Sequence, residues 1–235
     1  MRTAFGIFLI LLGATPVLAQ HPVEMETGSH IPVPERARIP DDLHVSNVDR
    51  SRLVMSQFAR CAVARNPAGV QRALRLPFGD SYEHAVSKLA TEECLDSGMM
   101  KFKATLFRGA LFAELYRSRD YAQKHDQPWK VSFDKISFDQ EQLAKPGQEA
   151  AQWRLLMIFG NCVVGHDEAN ARTAIMQPTA SALEEAALRA LGPSFNACLP
   201  VGTTLTFSKP IIEGVLAEVL YRGTEAAVQQ TAGVK

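Results

Sequence analysis

The chain lacks an excess of either charge, with 25 Lys and Arg against 25 Asp and Glu. Neutrality removes the bulk attraction that draws proteins to nucleic acid or anionic lipid, so no nucleic-acid partner is expected. Beyond residue 19 the chain also lacks any apolar run of the ~20 residues that a membrane-spanning helix needs. No stable membrane insertion of the mature chain is therefore expected. Familiar catalytic fingerprints are missing: there is no G-x-S-x-G elbow, no P-loop and no dinucleotide-binding glycine pattern. The histidines (His21, His30, His44, His84, His125 and His166) include no pair at the i,i+4 spacing of a helical zinc site. No two cysteines lie two to four residues apart, the usual spacing of zinc ligands. No metal and no cofactor are expected.

What is present begins with the first 19 residues. Arg2 supplies a positive start, Ala4–Ala14 ("AFGIFLILLGA") an apolar core, and Val17–Ala19 a cleavage site before Gln20. This reads as a secretory signal peptide over 1–19. Its apolar core is too short to span a bilayer, and Pro16 breaks any helix just beyond it. Cleavage leaves 216 residues with 24 basic and 25 acidic side chains, a net charge of −1. The mature chain is expected in the periplasm or secreted. Its length suits one large domain or two small ones.

Two phrases then stand out, "FRGALFAELYR" at 107–117 and "IEGVLAEVLYR" at 212–222. Aligning them draws in the rest of the chain. Phe58-x-x-Cys61-x-Val63 returns as Phe159-x-x-Cys162-x-Val164, and Cys94-Leu95-x-x-Gly98 as Cys198-Leu199-x-x-Gly202. Phe102 returns as Phe207, and Gly109-x-Leu111 as Gly214-x-Leu216. Matches in one order at an offset that drifts only from 101 to 105 argue for two copies of one module.

Each module reads as four helices. In the first, Leu53, Val54, Phe58, Cys61 and Ala62 share one helical face. Asn66-Pro67, and Asp167 in the second copy, open the next helix. Capping boxes Asp80-x-x-Glu83 and Ser181-x-x-Glu184 open the third. The repeated phrase is the fourth, and a glycine at the same place in both copies (Gly109, Gly214) predicts a close helix crossing. The fold class expected is all-α, with two tandem homologous four-helix modules, each holding one intramodule disulfide. The bounds are a signal peptide over 1–19, an extended segment over 20–48, module one over 49–118, a linker over 119–148, module two over 149–223 and a flexible tail over 224–235.

An exported chain with an even cysteine count reads as disulfide-bonded, metal binding or free thiols being the alternatives. Pairing Cys61 with Cys94 and Cys162 with Cys198 staples each small core and is worth roughly 3–4 kcal/mol per bond in the chain-entropy model. Cross-copy pairing is possible in principle. Pairing within copies is favoured because an ancestral single module could have made that bond alone.

The pattern of signal peptide, Cys-Val first helix, second Cys near Leu and Gly, and closing Leu-Tyr-Arg helix resembles a family of uncharacterised exported bacterial proteins. The resemblance covers both copies, residues 50–118 and 150–223. It implies the duplicated two-Cys helical fold and no assigned activity.

Five residues are candidates for a site. His166 lies in "GHDE" (Gly165–Glu168), where acid–base or metal chemistry competes with simple capping by Asp167 and Glu168. Tyr116-Arg117 and Tyr221-Arg222 can clamp a carboxylate or sugar, or can pack with Tyr on the core edge and Arg on a helix C-terminus. The residues shared by the copies are mostly structural. The expected function is therefore a non-catalytic binding or interaction protein whose partner is an envelope protein or a small ligand. The alternative is an envelope hydrolase with a site between the modules involving His166.

Overall fold

The residues described in the computed structural model are 45–76, 78–91, 93–94, 102–118, 148–200 and 207–232, with no strand among them. All belong to one compact unit, Pro34–Lys235. The expected signal peptide, most of the N-terminal segment and nearly all of the linker lie outside the described residues.

Capping residues set most of the boundaries. Helix α1 (Asn47–Arg65) starts where Ser46 accepts from the Asp49 N–H at 3.1 Å, satisfying a first-turn donor. It ends at Asn66, whose side chain accepts from the Gly69 N–H and opens α2 (Pro67–Leu74). In the second half, α5 (Gln148–His166) gives way to α6 (Glu168–Met176) in the same manner, Asp167 accepting from the Asn170 N–H.

The third helices depart from expectation. Asp80 lies inside α3 (Asp80–Ser87), and the N-cap is Gly79 at φ 140°, without a side-chain bond. Glycine makes that turn without strain, which leaves Asp80 and Glu83 to complement the first-turn dipole rather than to cap. Ser181 does cap α7 (Ala182–Ala190) by accepting from the Glu184 N–H. The Glu184 carboxylate does not close the box, however. It accepts from the Ala180 N–H at 2.9 Å, while Ala180 sits at φ 63°, a region costing a non-glycine residue roughly 1–2 kcal/mol.

One element was not foreseen: a short helix, α8 (Gly192–Ala197), precedes Cys198, where the offset between the copies has widened from 101 to 104. The expected flexible tail is also corrected. Helix α9 (Lys209–Ala232) continues through Arg222, with Gly223 and Thr224 buried. The Ala, Glu and Gln after Gly223 favour helix and carry it on.

The centre of the fold is the packing of α9 on α4 (Ala104–Arg117), flanked by α1 against α4 and by α5 against α9. A Cβ on Gly109 would stand 2.5 Å from the Gly214 Cα, and one on Gly214 would stand 2.7 Å from the Gly109 Cα. The glycines thus touch backbone to backbone, as their aligned places predicted. A second close approach was not foreseen, since a Cβ on Gly160 in α5 would meet Val215 of α9 at 2.3 Å.

Both disulfides join the expected partners, Cys61–Cys94 and Cys162–Cys198, with Cα separations of 5.7 and 5.8 Å. Aligned aromatics also meet alike in each half, Phe58 with Phe102 at 6.0 Å and Phe159 with Phe207 at 4.9 Å between ring centres. Phe58, Phe107, Leu111, Val163, Leu216 and Leu220 belong to one continuous core that runs through both halves.

Candidate functional site

Polar chemistry is concentrated where the halves meet. The core face of α1 carries Arg52 and Ser56 in its first half, while Leu53 and Val54, expected there, are only half-buried. Arg52 reaches across to the second half, where it pairs with Glu184 of α7 and with Glu213 of α9, the latter at 3.0 Å. Arg117 closes the same seam. It binds Glu213 at 2.8 Å, Glu114 at 2.9 Å and Thr179 at 3.1 Å, and its Nε donates to the Ile175 carbonyl at the end of α6. Ser56 donates to Glu114 at 2.8 Å.

A second seam joins α4 to α9. Arg108 of α4 donates twice to Glu218 of α9, at 3.1 and 2.9 Å, and once to the Leu74 carbonyl at the end of α2. Trp153 Nε1 and Arg222 Nε also donate to Glu218, at 3.1 and 2.8 Å. The Arg108 guanidinium lies 5.1 Å from both the Phe78 and Phe112 ring centres. The two seams use aligned places around the glycine crossing: Arg52 and Trp153, Glu213 and Arg108, Arg117 and Arg222.

The environments push the carboxyls in opposite directions. Burial and the Glu213 charge raise Glu184 above its ordinary range, against the pull of Arg52 and the Ala180 N–H. Burial also works to raise Glu218, but the charges and hydrogen bonds of Arg108 and Arg222 outweigh it and hold the carboxyl below its ordinary range. Every one of these carboxylates is paired. The cavity against Arg52, Ser56, Arg117 and Glu213 measures ≈ 10 Å³. That is room for about one water at most.

The five candidate residues do not converge. Arg117 and Arg222 are half-buried and lie in separate seams as described. Tyr116 faces Arg172 and Glu168 of α6, in the other half, and Tyr221 faces Gln71 and Arg75 at α2, again in the other half. Burial raises both phenols. His166 ends α5 exposed, beside the Cys162–Cys198 disulfide and outside both seams.

Sequence reasoning missed Arg52, Arg108, Glu114, Glu184, Glu213 and Glu218 as a set. A signal was available: Arg108, Glu114, Glu213 and Glu218 are isolated charges on helices otherwise apolar on nearly every face, and a buried charge requires a partner. Comparisons of the chain with protein-family models, curated proteins and solved structures each returned no match.

Proposed function

We propose that this is an exported, non-catalytic interaction protein built from a duplicated two-Cys module with one disulfide in each copy, acting outside the cytoplasm on a partner protein. The observation that carries the reading is the closed seam. The convergent Arg and Glu side chains, which in an enzyme would face a substrate, are spent on each other around a space no larger than a water. Their chemistry serves to hold the halves together, so recognition falls to the outer surface. There, Leu155 and Ile158 stand 68% and 51% exposed, three residues apart on one face of α5. Apolar side chains displayed on a helix suit a protein surface better than a polar small molecule. The paired disulfides and the apolar start of the chain support export.

The experiment compares the mature chain with a Leu155→Glu/Ile158→Glu variant of equal thermal stability, both cross-linked in the native envelope fraction. The expected result is a stoichiometric complex that the variant fails to form. Turnover of ester or peptide substrates, abolished by His166→Ala, would overturn the reading in favour of a hydrolase.

A further inference from the structure

The two disulfides are not alike. Cys61 and Cys94 are 4% and 3% exposed, whereas Cys162 and Cys198 are half-buried. Each bond has a neighbour one helical turn beyond its first cysteine. In the first half this is Arg65, which pairs with Glu93 at 3.5 Å, next to Cys94. In the second half it is His166, and among the described residues no hydrogen bond or ion pair holds its ring. A ring nitrogen of His166 and the sulfurs of Cys162 and Cys198 all lie within 4.8 Å of one another.

We propose that Cys162–Cys198 is a reducible bond whose dithiol form binds one zinc ion through Cys162 Sγ, Cys198 Sγ and the His166 imidazole. Thiol exchange depends on access to the sulfurs, and of the two disulfides the half-buried Cys162–Cys198 is the more accessible. A thiolate of an external dithiol attacks one sulfur, breaking the Cys162–Cys198 bond and forming a mixed disulfide. The donor's second thiol displaces the cysteine and leaves the donor oxidised as its own disulfide. The two electrons and two protons now reside on Cys162 and Cys198 as thiols. Zinc binding expels those two protons. The ligands need to come only to about 2.3 Å for sulfur and about 2.0 Å for nitrogen from a common centre, and water fills the fourth position. Cys162 and His166 are fixed at i,i+4 on one helix, so only Cys198 needs to adjust. The first half cannot do this, because Arg65 has no lone pair to donate.

The test uses the mature chain reduced with a limiting dithiol, with zinc as the added ion and cobalt(II) as the spectroscopic probe. Peptide mapping is expected to find Cys162 and Cys198 reduced while Cys61–Cys94 stays closed. The reduced chain is expected to bind one zinc per molecule and the oxidised chain none. Cobalt should show thiolate charge-transfer bands with the visible bands of a tetrahedral site. His166→Ala, a surface change, should weaken zinc binding by on the order of tenfold or more and shift the cobalt spectrum. His166→Cys should restore affinity, separating ligation from a structural role. Simultaneous opening of both disulfides, or zinc affinity unchanged in His166→Ala, would overturn the proposal. So would a reduced chain that loses its helicity and does not regain it with zinc.

Discussion

A single buried side chain illustrates the energetics best. Glu218 accepts from Arg108, Arg222 and Trp153 and is 1% exposed. Removing its charge leaves Arg108 with its largest favourable partner gone, and breaking a buried pair in this way costs about 3–5 kcal/mol. Glu218→Gln should therefore lower stability by that amount in urea denaturation. The pH dependence has a definite sign. The folded state holds Glu218 below its ordinary 4.5, so the unfolded state binds more protons between the two values. Stability then falls as pH falls through that window, and Glu218→Gln should flatten this part of the acid limb. Glu184 runs the other way. Its raised folded value means that its contribution is present below the unfolded value and is lost as pH rises through the folded one. Glu184→Gln should keep the contribution that the parent loses on that upper limb. Unfolding curves across both windows check the two signs; identical pH profiles for parent and variants would refute them.

At the scale of the helix, the glycine crossing decides more than propensity does. An alanine in place of Gly214 gains about 1 kcal/mol of helix propensity. Its Cβ would stand 2.7 Å from the Gly109 backbone, which has no rotamer with which to yield. Overpacking of this kind costs about 1–3 kcal/mol, and an unyielding backbone places it at the upper end. Gly214→Ala and Gly109→Ala should each melt below the parent, and the pair together should lose more than either alone. A melt at or above the parent temperature would show that the helices separate at no cost.

This crossing was legible in the sequence because glycine weakens a helix, so its recurrence inside two aligned apolar helices points to a packing need that outweighs propensity. The disulfides, the Asn66 and Asp167 caps and the helical class were legible for similar local reasons. The seams were not, because Arg52 and Glu184 lie far apart in the chain and only the tertiary fold brings them together. The end of α9 was not legible because a short polar tail looks the same in the letters whether or not its helix formers continue a packed helix. Asp80 was misread because the φ of Gly79 cannot be seen in the letters.

At the scale of the molecule, the seams argue against two independent domains. Arg52, Arg108 and Arg117 belong to the first half, while Glu184, Glu213 and Glu218 belong to the second. Arg117 also satisfies the last turn of α6, and Tyr116 and Tyr221 each cross to the other half's second helix. A half that unfolded alone would strand three buried or half-buried charges in its neighbour, each left without its partner across the seam. The halves are therefore expected to unfold together, even when only one is weakened. Cys162→Ala/Cys198→Ala supplies the weakening, because losing a native disulfide costs about 2–5 kcal/mol. Hydrogen exchange read separately on α1 and α5 decides the matter. Under a single transition, the slowest amides of both helices lose the same protection, although the lost bond touches only the second half. If α5 is deprotected while α1 keeps its parental exchange, the halves are separable and the paired seams do not couple them.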